Sequence, residues 1–177
     1  TAPTKQENEF QLVYLGDDEA IKNYSSDDVA LVMGLGMIRP KSWREKIYCA
    51  FKEQGYSFLT VVHPSAIVSP SVYLGEGVQV MAGAIIQTNT KIADNTIVNT
   101  GAIVDHDGQI GSHVHIAPGT KISGNVSIGR STHIGTGVTI IHGIDIGTHT
   151  LIGAGSVVVK NIGSEAKAFG VPAKEVT

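Results

Sequence analysis

The segment Val104-Asp105-His106-Asp107 sets an imidazole between two carboxylates. A carboxylate beside a histidine can hold the ring in one tautomer and raise its basicity, so His106 is a candidate general base. An exposed turn histidine next to two solvated acids fits the same residues equally well. Of the seven histidines, six fall late in the chain, at His106, His113, His115, His133, His142 and His149. His63, in His63-Pro64-Ser65, reads as a turn residue.

What must position these rings is a repeat. An aliphatic residue leads every hexapeptide at Val62, Val68, Leu74, Val80, Ile86, Ile92, Val98, Val104, Ile110, Ile116, Ile122, Ile128, Ile134, Ile140, Ile146, Ile152 and Val158. A period of six is neither helical nor a plain alternation, and it predicts a parallel β-helix. Four residues after each lead comes a small or β-branched residue, such as Ala84, Thr90, Thr96, Ala102 and Val114, which can also point inward. Three short strands close one triangular coil of about eighteen residues, and coils stack at about 4.8 Å. In that frame His115 and His133 stack on one corner, while His106 and His142 lie two coils apart at another position. Gly75, Gly111, Gly129, Gly135, Gly147 and Gly153 follow leads, where a chain turning a corner would use positive φ. The repeat has no insertions, so a smooth prism is expected.

The grammar changes near Val61, which divides the chain into residues 1–61 and 62–177. Residues 1–61 carry 7 Lys/Arg and 9 Asp/Glu, and the longer remainder only 6 and 7. Walls so short of charge have surface to bury, which predicts a homo-oligomer. A net charge of −3 leaves no footprint for nucleic acid or an anionic membrane. The single cysteine, Cys49, excludes an internal disulfide and reads as a small buried hydrophobe. No signal peptide or apolar run of spanning length is present, so the cytoplasm is the expected compartment. The chain begins at Thr1 without Met, as a fragment or processed product would.

The first part reads as α/β. Asp28 to Gly36 is a buried-strand pattern ending in glycines. Lys41 to Gln54 is a helix with Trp43, Ile47, Ala50 and Phe51 on one face, capping-box spacing at Ser42 and Glu45, and a stop at Gly55. Tyr56 to Val62 is then a strand. The Gly-Leu-Gly at Gly34 to Gly36 is a weak phosphate-loop signal beside the simpler reading of a strand-ending turn.

The run Asn99-Thr100-Gly101-Ala102-Ile103-Val104-Asp105-His106-Asp107, followed by His115-Ile116-Ala117-Pro118-Gly119, Ser123-Gly124-Asn125-Val126 and Gly170-Val171-Pro172-Ala173-Lys174, resembles the hexapeptide acyltransferases of the sialic acid O-acetyltransferase family. That family includes bacterial nucleotide-amino-sugar N-acetyltransferases. The resemblance covers roughly Asp17 to Ala173. It implies a mainly β fold, a left-handed parallel β-helix preceded by a small, truncated, Rossmann-like α/β domain. It also implies a homotrimer whose active sites lie between subunits, with acetyl-CoA as co-substrate and no metal.

Carried over by position, His106 is the catalytic base and Asp107 its partner. His115, Gly124, Thr136, Ala154, Gly170, Pro172 and Lys174 are then cofactor-binding, with the Gly124 N–H facing the thioester oxyanion. Gly34, Asn99 and Asp105 are substrate-binding. The implied reaction moves acetyl from acetyl-CoA to the amino group of a nucleotide-linked amino sugar. O-acetylation of sialic acid is the alternative, and an inactive CoA-binding scaffold the lesser one. A zinc site shared between chains, as in carbonic anhydrase-like β-helices, would want a histidine pair five residues apart. The late histidines are spaced by seven, two, eighteen, nine and seven.

Overall fold

The computed structural model describes residues 12–40 and 43–176. From Val61 onward each hexapeptide gives a two-residue strand and a turn. Strands eighteen residues apart pair in parallel, so that Val61–Val62, Gln79–Val80, Ile97–Val98, His115–Ile116, His133–Ile134 and Leu151–Ile152 stack into a first wall. That wall ends in Lys167–Phe169 and the antiparallel Lys174–Val176. The second wall climbs from Ile67–Val68 through Ile103–Val104 to Val157–Val158, and the third from Tyr73–Leu74 through Gln109–Ile110 to Asp145–Ile146. The architecture is a parallel β-helix whose second wall has six strands.

The leads build the core. From Val80 to Val158 every lead is at most 3% exposed, and burying one such aliphatic side chain contributes about 1.5–3 kcal/mol. The second inward set, Val78, Ala84, Thr90, Thr96, Val114 and Thr120 among them, is buried as well. Its threonines keep their hydroxyls satisfied. Thr96 Oγ1 donates to the Gly111 carbonyl at 2.9 Å and accepts the Val114 N–H at 3.1 Å.

The glycines divide the work differently from the sequence expectation. Left-handed φ falls three residues after the lead. It is taken by Gly83, Gly101, Gly119, Gly137 and Gly155 on one corner, by Asn89, Asp107, Asn125 and Gly143 on the next, and by Gly77, Asn95, His113, Ser131 and His149 on the third. The glycines directly after leads have no such φ. They are small because the next coil lies against them: a Cβ on Gly129 would stand 2.6 Å from the Thr148 nitrogen, and one on Gly135 2.6 Å from the Ala154 nitrogen. The prism is smooth up to Val158. Beyond it Ile146 bridges Ile162 and Leu151 pairs with Lys167, so the last coil is two residues shorter than the rest.

The first part has a 3-10 helix at Asp18–Asn23, strands β1 (Ala30–Leu31) and β2 (Ser57–Phe58) in parallel, and helix α1 (Trp43–Glu53). The strand expected over Asp28 to Gly36 shrinks to β1, because only those residues find a paired backbone. The strand expected over Tyr56 to Val62 splits: Ser57–Phe58 pairs with β1, whereas Val61–Val62 joins the prism. Trp43 is 73% exposed beneath Lys46 rather than on the buried face. Arg44 and Tyr48 take that face, with Ile47 and Phe51 half-buried. Ser42, the proposed cap, lies outside the described residues.

Gly129→Ala forces a methyl into the backbone of the next coil and should lower stability by about 1–3 kcal/mol. Gly137→Asn, at φ +67 with nothing within 4 Å of its Cβ, should lose less than about 1 kcal/mol, since Asn accepts this conformation. Urea unfolding of the two variants measures the contrast, and equal losses would refute the close-packing account.

Candidate active site

Asp105, His106 and Asp107 turn the corner between Ile103–Val104 and Gln109–Ile110. The coil below clamps this corner: Thr90 Oγ1 donates to the Asp105 carbonyl at 2.8 Å and accepts the Gly108 N–H at 3.2 Å, and the Thr88 carbonyl accepts the Asp107 N–H at 3.0 Å. The coil above adds the Asn125 N–H, which donates to the His106 carbonyl at 2.9 Å. Asp105 Oδ1 accepts the His106 N–H at 2.8 Å.

Asp107 sits at φ 58, which swings its Oδ2 to 2.8 Å from His106 Nδ1. That hydrogen bond, with the nearby charges of Asp105 and Asp107, raises the ring's pKa above the ordinary imidazole value. It also holds Asp107 below the usual carboxylate range, aided by a bond from Asn89. When the neutral ring donates Nδ1–H to Asp107, Nε2 carries the free lone pair.

Nε2 faces the next coil. A Cβ on Gly124 would lie 2.5 Å from both Nε2 and Cε1 of His106, so the ring leans over a position that only glycine leaves open. Among the described residues the Gly124 N–H has no hydrogen-bond partner. One coil higher, the His142 ring approaches His106 with centroids 6.2 Å apart and a 45° tilt. A base, a free N–H donor and a second imidazole on one line can take a proton from a nucleophile and steady an oxyanion.

His115 and His133 are paired in register within the first wall, in strands rather than on the expected corner. The residue before each lead belongs to the strand, and the segment Met33 to Met37 covers this part of the wall. The Met37 carbonyl faces His115 Nδ1, which must therefore carry the proton, while Asn99 Nδ2 donates to Nε2 at 3.0 Å. Burial lowers the pKa of both rings, that of His133 to about 4. The first wall lies across the aliphatic core from the His106 corner, so a single chain does not bring Asn99 or His115 to His106.

Thr136 and Ala154 are exposed on the corner between the first and second walls. Gly170, Pro172 and Lys174 are exposed around the closing hairpin, where the Gly170 carbonyl accepts the Val157 N–H at 3.1 Å. Gly34 borders a cavity of about 610 Å³ walled by Tyr24, Leu31, Met33 and Phe58, with Asp17 the one charged lining residue. Sequence reasoning missed Thr90 and Asn89 as supports of the His106 corner, although both stand in the eighteen-residue register with it. His113 docks α1 on the prism: it accepts from Asn95 Nδ2 at 2.9 Å and meets the Tyr48 ring edge-on, while Glu45 accepts from Ser131 at 2.7 Å and from Arg130 at 2.5 Å. Among the described residues no group of three or more His, Cys, Asp or Glu side chains could hold a metal ion.

No protein-family model and no curated protein matches the chain. Solved structures do. PerB from Caulobacter crescentus, in complex with CoA and GDP-perosamine, is 44% identical over 75% of this chain and 64% of its own, with a TM-score of 0.74. A histidine-to-asparagine mutant of perosamine N-acetyltransferase from Caulobacter crescentus, also in complex with CoA and GDP-perosamine, is 42% identical over 75% of this chain and 63% of its own, with a TM-score of 0.73. The acetyltransferase domain of PglB from Neisseria gonorrhoeae FA1090 is 35% identical over 86% of this chain and 73% of its own, with a TM-score of 0.81, and has also been solved with acetyl coenzyme A. The chain thus spans somewhat less than two thirds of the length of the chains in these two Caulobacter crescentus structures.

Asp107→Asn removes the anion that holds the imidazolium, so the His106 pKa should fall toward the ordinary histidine value. Proton NMR titration of the ring measures the midpoint. A midpoint unchanged by the substitution would show that the Asp107 bond does not tune the base.

Proposed function

Because the chain belongs to the hexapeptide-repeat acetyltransferases, we propose that it transfers the acetyl group of acetyl-CoA to the amino group of a nucleotide-linked amino sugar in bacterial surface-glycan biosynthesis, with His106 as general base. The observation that carries this reading is the His106 ring, tied to Asp107 at Nδ1 with Nε2 turned to Gly124. The ligands of PerB, CoA and GDP-perosamine, support the substrate class.

In the reaction the amine lone pair attacks the thioester carbon, and a C–N bond forms. His106 Nε2 takes the amine proton, and the imidazolium is steadied by Asp107. The carbonyl oxygen becomes an oxyanion facing the Gly124 N–H, close enough because residue 124 has no side chain. The carbonyl then reforms, the C–S bond breaks and CoA leaves as a thiolate.

The proposed cofactor contacts, His115, Thr136, Ala154, Gly170, Pro172 and Lys174, are spread over other faces than the His106 corner. A site that uses both sets needs a neighbouring copy, which favours a homotrimer with acetyl-CoA in the groove between prisms. Asn99, Asp105 and Gly34 are then candidates for the acceptor side. No helix among the described residues is long and apolar enough to cross a membrane, and a reaction that draws on acetyl-CoA suits the cytoplasm.

Release of CoA thiol from acetyl-CoA over nucleotide-linked 4-amino sugars, free amino sugars and sialic acid tests the reading. Turnover is expected with a nucleotide-linked amine, and turnover on sialic acid alone would overturn the amine acceptor. His106→Ala should lower turnover by about 10²–10⁴ with acetyl-CoA binding nearly unchanged. Retained turnover in this variant would remove His106 from the chemistry.

A further inference from the structure

The corner line that carries His106 and Gly124 continues to His142, and the reaction as written leaves that ring without a task. His142 is exposed, and among the described residues it makes no hydrogen bond, so no structural partner fixes it. Its ring nevertheless stands 6.2 Å from that of His106, with the side-chain-free Gly124 between them. Charged groups on the same line are Asp105 and Asp107 two coils below, and Lys160 eighteen residues beyond His142.

The order of atoms in the reaction maps onto the order of coils. The nucleophile meets its base at the His106 coil, and the carbonyl oxygen turns to the N–H of the Gly124 coil. The sulfur, on the side of the carbon away from the nucleophile, then lies toward the His142 coil. We propose that His142 is a second catalytic imidazole whose ring N–H meets the CoA sulfur and donates a hydrogen bond to the departing thiolate.

The proton count closes. His106 gains the amine proton and the sulfur leaves as a thiolate held by the His142 N–H, so amine and thioester give amide, thiolate and one proton on His106. Loss of that proton from His106 to solvent at the open corner resets the base. This inference rests on the acetyl-transfer reading, because it takes the sulfur to be that of CoA at the Gly124 coil.

The test needs no acceptor. Ionisation of the CoA thiol is followed by its thiolate ultraviolet absorbance in complexes with the wild-type chain, His142→Gln, His142→Ala and His106→Ala. An imidazole N–H donor at the sulfur should favour the bound thiolate by about tenfold over free CoA. Both His142 variants should abolish that gain, and His106→Ala should keep most of it. Acetyl-CoA turnover by His142→Gln should drop about 10–100-fold.

CoA that binds wild type and His142→Gln with the same thiol ionisation would overturn this proposal and leave the acetyl-transfer reading standing. Failure of CoA to bind the wild-type chain at all would overturn both. Loss of the gain in His106→Ala but not in the His142 variants would assign the sulfur contact to His106 instead. Residue 142 is exposed, so the substitutions leave the core untouched.

Discussion

The structure depends on hydrogen bonding between coils at a fixed interval of eighteen residues. Ile103 stands opposite Lys121 and Val104 opposite Ile122, held by the Ile103 N–H on the Thr120 carbonyl and the Asp105 N–H on the Ile122 carbonyl, and the same register repeats up each wall. Every short strand would expose unpaired backbone groups without the coils above and below it. Once that interval is kept, a side chain and its counterpart eighteen residues on lie along one line of the prism. The aliphatic leads form a continuous inner column because of it. The candidate site is a column as well, with Asp105 to Asp107, then Gly124, then His142.

The corners differ in what the left-handed residue brings. Between the first and second walls it is always glycine from Gly83 to Gly155, a corner without side-chain chemistry at that position. Between the second and third walls Asn89, Asp107 and Asn125 adopt the same φ. An L-residue there gives up about 1–2 kcal/mol relative to its preferred conformations, least for Asn and Asp. What is gained is a carboxylate that bends back to the neighbouring ring and a carboxamide beneath it that supports the carboxylate. The chemistry thus sits on a corner where polar residues mostly replace the conformationally easy glycine.

Much of this was legible before the structure. The six-residue period specified strand positions, inward residues and the two-coil separation of His106 and His142. It did so because a β-helix converts sequence distance into spatial distance with no long loops to interrupt it. The period could not say why a glycine is present, since a corner residue and a residue pressed by the next coil are both small. Gly129 and Gly135 were therefore read as corners, while the true corners also held Asn95, Ser131 and His149. The N-terminal part was less readable: Arg44 is buried and Trp43 exposed, against their hydropathy. Arg44 reaches the carbonyls of Leu35 and Asn95, partners that no local pattern reveals.

The histidines fall into two groups on opposite sides of the prism. His106 is exposed with its basic nitrogen over Gly124 at an open corner, while His115 and His133 lie on the opposite wall, His115 against the Met37 carbonyl, and burial lowers the pKa of both. A neutral imidazole whose Nδ1–H is committed to a carbonyl and whose Nε2 accepts from an amide is fixed in orientation, as a recognition element requires. A base partnered only by carboxylates on an open corner is suited to a proton that arrives with a substrate. The aliphatic core separates the two kinds of histidine within a protomer. Under the proposed reaction, the two groups act on the same molecule only where one prism's corner meets another prism's wall.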